Sequence, residues 1–116
     1  MMKKVKDIIQ LDVLDQVDIR VGLIENAEDI ETSDKMIKLT VDFGSFKRTI
    51  LVGMKKERDD FTEVIGQQAL FIVNLAPKKM FGEISEGMLF DIGFSDGITP
   101  VLAVPEKPVP NGTRAE

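Results

Sequence analysis

The chain has 116 residues, of which 43% are hydrophobic and 30% charged, and a net charge of −5. This length predicts one globular domain whose core needs no disulfide or metal support. The sequence contains no cysteine and no histidine, which excludes thiol nucleophiles, disulfides, zinc sites built from these residues and hydrolytic Ser-His or Cys-His couples. The net charge is negative, so the protein also lacks the overall basic charge that is typical of nucleic-acid binders.

No segment of the sequence predicts insertion into a membrane or export. The longest uninterrupted apolar run is Ala69–Val73, far shorter than the ~20 residues of a membrane-spanning helix. The chain opens with several lysines, but Asp7, Gln10 and Asp12 interrupt what would be the apolar core of a signal peptide. We therefore expect a cytoplasmic protein without a membrane partner.

The first half of the chain predicts a short helical turn followed by three strands. Asp12 is a suitable N-cap for a turn through Val17, because its carboxylate can accept hydrogen bonds from free amides. Val17–Leu23 alternates apolar and non-apolar residues, which is typical of a half-buried strand. The Gly44-Ser45 pair then favours a type II′ hairpin, with glycine supplying the positive φ. It joins the alternating segment Ile37–Phe43 to a return strand, Phe46–Val52.

The second half predicts one short helix or turn, three strands and a proline-rich tail. Four of the five prolines lie at or after residue 100, so we expect an extended tail that cannot join a central strand. The short helix or turn lies within Lys55–Ile65, the strands are Gln68–Asn74, Met88–Ile92 and Val101–Val104, and a long loop covers Leu75–Gly87. This pattern favours an all-β, five-stranded Greek-key barrel with a short N-terminal helix and a C-terminal extension. A small β-sandwich would give a similar pattern.

Charge is segregated along the sequence. Arg20–Asp34 contains one cation and five carboxylates, whereas Lys47–Arg58 contains five cations and one carboxylate. Charge runs of this kind usually form solvated faces. The alternative is that the basic run extends a positive binding surface, in which case the acidic run has to face away from the ligand.

Three segments of the sequence form a recognisable pattern. They are LDQVDIRVG at Leu14–Gly22 with SDKMIKLTVDFG at Ser33–Gly44, VNLAPKKMFGEISEGML at Val73–Leu89, and VPNGTR at Val109–Arg114. Together they resemble the tRNA-binding domain family, over about Asp15 to Arg114. This family includes free-standing tRNA-binding proteins, the C-terminal domain of many methionyl-tRNA synthetases, the endothelial monocyte-activating polypeptide domain and CsaA-type secretion chaperones. The Val73–Leu89 run is the most specific of the three.

The resemblance implies an oligonucleotide-binding (OB) barrel over residues 15–116, with residues 1–14 as an N-terminal segment that contacts a second copy in a homodimer. It implies tRNA as the partner, with an aminoacyl-tRNA synthetase or unfolded export precursors as further candidates. No cofactor and no metal site are expected. Carboxylate pairs such as Asp59/Asp60 are of the kind that any acidic protein contains, so we expect no catalytic site and no enzymatic activity.

Lys78 and Lys79 are the strongest candidates for RNA contact. They follow Pro77 in the predicted loop, where two ammonium groups are suited to phosphate rather than base recognition. Phe81 stands where the family often carries a basic residue, so it exchanges a charge for a ring that can stack on a base. The full candidate set is Arg20, Lys55, Lys56, Asn74, Lys78, Lys79, Phe81, Ser85 and Met88.

Several of these candidates have an alternative, structural interpretation. Arg20 can pair with a nearby carboxylate, Ser85 can bond to its own loop, and Met88 can belong to the core. Asn74 is suited to satisfying backbone amides. The family pattern also differs at Val52-Gly53, where a Ser-Gly pair is more usual. The sequence thus predicts a non-catalytic, structure-specific tRNA-binding protein, and the alternative is a CsaA-like chaperone that binds unfolded precursors.

Overall fold

The computed structural model describes residues 3–116, so the first two residues of the predicted N-terminal segment lie outside it. One short helix, α1, spans Leu11–Leu14. The strands are β1 Ile19–Asp29, β2 Ile37–Asp42, β3 Lys47–Val52, β4 Gln68–Ile72, β5 Lys78–Met80, β6 Glu83–Ser85, β7 Met88–Leu89, β8 Asp91–Ile92 and β9 Val101–Leu102. Among these residues, no helix is both long enough and apolar enough to cross a membrane.

Five of the strands form the antiparallel sheet that was predicted, in the order β3-β2-β1-β4-β7. The sheet curls into a nearly closed barrel, because the chain between β6 and β7 returns to β3. There the amide of Glu86 donates to the carbonyl of Thr49 at 2.8 Å. Two small two-stranded sheets, β5-β6 and β8-β9, are attached to this barrel. The expected five-stranded barrel is therefore confirmed.

Strand β1 is longer than the alternation of the sequence indicates. Its first half, Ile19–Leu23, pairs with β4, and its second half pairs with β2. A bulge between Ile24 and Asn26 joins the two halves. Because a bulge inserts one extra residue, the period of two breaks there, and the sequence pattern predicts an end to the strand at Leu23.

The β2-β3 hairpin has the predicted two-residue turn. The amide of Phe43 donates to the carbonyl of Phe46 at 2.9 Å, and Gly44 has a φ of +87°. Inside the turn, the rings of Phe43 and Phe46 stack at 5.2 Å, and Phe43 meets Phe71 edge to face at 5.6 Å. These rings form one end of the core, whose fully buried members are Ile24, Ile37, Leu39, Val41, Phe43, Ile50, Val64 and Phe71.

The first short helix differs from its prediction. Helix α1 begins after Gln10, which makes no side-chain cap, and ends at Leu14, so Asp12 lies inside its first turn and is not the N-cap. The short helix or turn predicted within Lys55–Ile65 is present as one 3-10 turn, Phe61–Val64. Asp60 caps this turn by accepting from the amide of Thr62, and Gly66 follows it with a φ of +90°, so only a single turn fits between them.

Two more predictions differ in the last part of the chain. The Met88–Ile92 strand splits in two, because Met88 and Leu89 pair with β4 whereas Asp91 and Ile92 pair with β9. The loop from Leu75 to Gly87 contains the β5-β6 hairpin. The strands of this hairpin have only three residues each, too few for an alternation to be visible in the sequence.

The tail joins β1, against expectation. Val21 donates to the carbonyl of Thr113 at 2.8 Å and accepts from the amide of Gly112 at 2.7 Å. One step along, Ala115 donates to the carbonyl of Ile19 at 2.8 Å. This edge of β1 is free because β2 pairs only from Leu23 onward. The four prolines precede these residues, so their missing amide donors do not prevent the pairing.

Gly22 allows β1 to lie close to the core. An added Cβ at Gly22 would lie 2.4 Å from Cγ1 of Val41 and 2.6 Å from Cε1 of Phe43. Both neighbours are fully buried and cannot move aside without disturbing the packed interior. The close approach of β1 to these two side chains therefore requires a glycine.

Replacement of Gly22 by alanine tests this constraint. We expect Gly22→Ala to lower the free energy of unfolding by about 1–3 kcal/mol, the usual cost of overpacking a core. Urea unfolding of the two proteins measures the difference. The control is Gly53→Ala, where the new Cβ meets only the sulfur of Met36 at 3.6 Å. Equal losses in the two variants would contradict the assignment.

Candidate nucleic-acid interface

The β5-β6 hairpin carries both predicted lysines. Lys78 pairs with Ser85, Lys79 with Ile84, and Met80 with Glu83. The connecting residues are Phe81 and Gly82, with φ values of +53° and +76°. Two positive φ angles in a two-residue connection are the signature of a type I′ turn. The predicted loop is thus an ordered finger, with Phe81 at its tip.

The base of this finger is fixed to the barrel by buried hydrogen bonds. Ser85 is buried, and its hydroxyl accepts from the amide of Leu51 at 3.0 Å while donating to the carbonyl of Gly87 at 3.2 Å. The guanidinium of Arg48 donates to the carbonyls of Glu86 and Val73 at 3.1 and 3.2 Å. These bonds hold the finger in one position on the barrel.

Lys78 and Lys79 are both exposed at the start of this finger. Within residues 3–116, no carboxylate oxygen lies within 4 Å of either ammonium group. Successive strand residues point to opposite faces, so Lys79 shares a face with exposed Ile84 and Lys78 shares the face of Ser85. The two charges therefore flank the finger, and both are free to bind an external anion.

Phe81 has an unusual backbone conformation. Its φ of +53° is the only positive value at a non-glycine residue of the described chain, and the left-handed region costs a residue with a Cβ about 1–2 kcal/mol. Its ring is 48% exposed. The next residue, Gly82, projects into open space, since an added Cβ there would meet nothing within 4 Å. The turn thus holds an aromatic ring in solvent at a cost in backbone energy.

Four other candidates are bonded within the chain. Arg20 forms a bidentate pair with Asp18 at 3.0 and 3.1 Å, as its structural interpretation anticipated. The ammonium of Lys55 contacts the carboxylate of Asp29 at 2.6 Å and the carbonyl of Ile30 at 2.7 Å. Asn74 accepts from the amide of Asp18 at 2.8 Å and donates to the carbonyl of Gln16 at 2.6 Å. The fourth, Ser85, anchors the finger as described above.

The remaining two candidates are exposed and have no polar contact in residues 3–116. Lys56 lies in the connection after β3 and is outside every ion pair found in those residues. Met88 is partly exposed in β7 and is not a core residue. It lines a cavity of about 450 Å³ together with residues of β3, the segment after it and the β8 region.

This cavity has apolar walls and two carboxyls. Met54, Met88, Phe90 and Phe94 line it together with Glu57 and Asp91, the two carboxyl residues. Burial raises the pKa of Glu57 and Asp91, and the charge of Asp91 raises that of Glu57 further. Glu57 and Asp91 were not singled out in the sequence, where they look like ordinary surface carboxylates.

The acidic and basic runs of the sequence neutralise each other. Lys47 pairs with Glu25 at 3.0 Å, and Lys55 with Asp29. Strand β2 lies between β1, which carries Glu25 and Asp29, and β3, where the basic run begins. The acidic side chains of β1 are therefore within reach of cations of the basic run. The basic run is therefore not a continuous free positive surface, and the alternative interpretation of this run does not hold for Lys47 and Lys55.

Asp18 ties the tail to the barrel. Arg20 and Arg114 both donate to its carboxylate, Arg114 at 3.2 and 3.4 Å. The hydrogen bond from Arg20 is the main cause that holds the pKa of Asp18 below its usual value, and Arg114 adds to the effect against the opposing effect of burial. The shared carboxylate of Asp18 thus connects Arg20 of β1 with Arg114 of the tail.

The fold and the finger define the class of protein as a small OB-type barrel. The chain belongs to the tRNA-binding domain family, since the family model described as "Putative tRNA binding domain" matches residues 19–114. Those residues include the five barrel strands, the finger and the tail as far as Arg114.

Solved structures of the same fold support this membership. A MetRS related protein from Pyrococcus horikoshii is 36% identical, with a TM-score of 0.86 over 96% of this chain and 100% of that one. Chaperone CsaA from Bacillus anthracis is 28% identical, with a TM-score of 0.82 over 95% and 100%. The C-terminal domain of Plasmodium vivax p43 is 26% identical, with a TM-score of 0.76 over 84% and 58%.

The Asp18 network predicts a loss of stability in acid. Because the folded pKa is lowered, the stabilisation is present above the unfolded value of about 3.9 and is lost as the pH falls through the folded value. We expect Asp18→Asn to lower the free energy of unfolding by about 1 kcal/mol at pH 7. Urea unfolding at pH 7 and near pH 2 measures this.

The difference from the unmodified protein should shrink at the lower pH, as the carboxylate of Asp18 takes up a proton. Asp15→Asn is the matched control, since no cation of residues 3–116 pairs with Asp15. A deficit in Asp18→Asn that stays the same at both pH values would contradict the ionic role.

Proposed function

We propose that this protein binds tRNA in the cytoplasm without catalysing a reaction, and that its β5-β6 finger contacts the phosphate backbone. The observation that carries the proposal is the contrast between cations. Lys78 and Lys79 lie on an anchored finger and have no ion-pair partner among residues 3–116, whereas Arg20, Lys47 and Lys55 are bonded to groups of the chain itself. Family membership supplies the class of ligand.

Phosphate contact suits these lysines better than base reading. An ammonium is a compact charge without the planar fork that reads a base edge, and phosphate contacts set position and orientation rather than sequence. Folded RNA is recognised largely by the shape of its backbone. A fixed finger with a charge on each face is suited to that kind of recognition, and it does not require a positive net charge.

Removal of both charges tests the proposal. In Lys78→Ala/Lys79→Ala, we expect tRNA affinity to fall about tenfold at 0.1 M salt. The slope of log K against log salt should flatten by about 2, roughly one unit for each lost phosphate contact. Titration of unfractionated tRNA between 50 and 200 mM salt, with a DNA duplex of equal length as competitor, measures both quantities.

The matched control is Lys35→Ala/Lys107→Ala, which removes the same charge from two exposed lysines away from the finger. It should change the salt slope by much less. Equal effects of the two double variants would contradict a specific role for the finger. Absence of tRNA binding by the unmodified protein at 50 mM salt would overturn the tRNA-binding proposal itself.

The second candidate function is that of a CsaA-like chaperone, and it is favoured by the apolar cavity beside β7. Met88, Phe90 and Phe94 give that cavity walls that can take apolar side chains of an unfolded chain. The similarity to chaperone CsaA adds to this. If tRNA does not bind, suppression of the aggregation of an unfolded client at equimolar protein is the deciding measurement.

We also propose that the protein is a homodimer in which the N-terminal segment contacts a second copy. Residues 3–17 are exposed throughout, and the side chains of Val5 and Ile8 are 98% and 96% exposed. Monomeric proteins rarely leave a contiguous apolar surface of this kind in water. A second apolar group near the other end includes Phe94, Ile98 and Val101.

Charge placed on the N-terminal segment tests the dimer. Sedimentation equilibrium of the unmodified protein should give twice the mass of one chain. Ile8→Asp should shift the equilibrium towards the monomer, because it places a charge in an apolar interface. Ile65→Asp, at an exposed isoleucine outside the segment, should leave the mass unchanged. A monomeric unmodified protein would contradict the proposal.

A further inference from the structure

We propose that Phe81 stacks on the exposed face of a nucleobase, as the aromatic tip of a finger whose lysines hold the flanking phosphates. This inference rests on the proposed tRNA-binding function and names a further contact of the same site. It depends on three features of the described chain, which are the backbone strain at Phe81, the open space around the tip and the rigid base of the finger.

The strain is informative because a strain-free residue is available for this position. A type I′ turn favours Asn-Gly or Asp-Gly, since Asn and Asp tolerate a positive φ. The sequence has Phe81-Gly82 instead, and Phe81 sits at φ +53°. An unfavourable backbone conformation that persists in a fold marks a candidate functional residue.

Packing within the chain does not account for the ring. Phe81 is 48% exposed and is not part of the hydrophobic core. In the described residues the aromatic contacts are formed by Phe43, Phe46 and Phe71, and Phe81 has none of them. The ring therefore contributes less to folding than a buried phenylalanine, although its conformation costs more.

A nucleobase is the ligand that fits this position. A flat exposed ring stacks on any base with little regard to sequence, and base recognition in RNA uses bases that are unpaired or lie at the end of a stack. Lys78 and Lys79 precede Phe81 by three and two residues on opposite faces of the same strand. The finger can thus hold phosphate groups along its sides and a base at its tip.

The rigid attachment of the finger to the barrel makes this contact effective. The hydrogen bonds that join Ser85 with Leu51 and Gly87, and Arg48 with Glu86, fix the finger before any RNA binds. A ring that is already in place loses little conformational freedom on binding. Stacking therefore contributes to affinity and does not need a rearrangement of the barrel.

A series of three variants tests the proposal, because it separates strain from stacking. Phe81→Asn removes both the strain and the ring, Phe81→Leu keeps the strain and removes the ring, and Phe81→Trp keeps both. We expect tRNA affinity to fall about tenfold in the Asn and Leu variants and to be retained in the Trp variant. The Asn variant should melt about 4 °C higher than the unmodified protein.

The salt dependence distinguishes this contact from those of the lysines. Loss of a stacked ring releases no counterion, so the Asn variant should keep the unmodified slope of log K against log salt. The double lysine variant should flatten that slope. Since the chain has no tryptophan and no tyrosine, Phe81→Trp also provides a single fluorophore, whose emission tRNA should quench and shift if the ring stacks.

Three outcomes would overturn the proposal. One is unchanged affinity in the Asn and Leu variants, while the lysine variant still loses affinity. Another is a tryptophan emission in Phe81→Trp that tRNA does not alter although binding occurs. The last is a shift of the Asn variant towards a monomer in sedimentation equilibrium, which would assign the ring to a contact between copies. In each case tRNA binding by the unmodified protein persists, so a failure of the broader function is recognised separately.

Discussion

Strand β1 is the element on which the rest of this structure depends, because it forms hydrogen bonds with three different parts of the chain. Its first half pairs with β4 on one side and with the tail on the other, and its second half pairs with β2. The bulge at Ile24/Asn26 bends the strand enough to make these pairings compatible, and Gly22 lets it approach the core. The order of the strands around β1 and the position of the tail follow from this arrangement.

Period-two patterning allowed the barrel to be predicted, and it failed where that period is short or broken. Ile37–Phe43 alternates over a full strand and is followed by Gly44-Ser45, so the hairpin around Gly44 was found in the sequence with its turn residues. The β5-β6 finger has three residues a strand, and only the Phe81-Gly82 dipeptide signals its turn. The pairing of the tail with β1 is a contact between residues about 90 positions apart, which no local pattern reveals.

Charge in a sequence does not show which cations are already paired, so the sequence alone could not separate the free cations of the candidate site from the bonded ones. Lys55, Arg20 and Lys78 are equivalent as charges in the sequence, yet the fold places Lys55 and Arg20 each beside a carboxylate. An acidic protein can still present exposed cations locally when some of its acidic and basic side chains pair with each other. In this chain, the distribution of ion pairs therefore says more about local charge than the net charge does.

The pairing of the tail with β1 also has a consequence for synthesis of the chain. Residues 112–115 leave the ribosome about 90 residues after β1, a delay on the order of 5 to 20 s at ordinary rates of translation. During that interval the first half of β1 has an open hydrogen-bonding edge, the kind of edge that recruits strands from other chains. Coverage of this edge is thus tied to translation of the tail. Until the tail emerges, the nascent chain keeps this edge exposed, the period in which contacts with other nascent chains or with chaperones are most consequential.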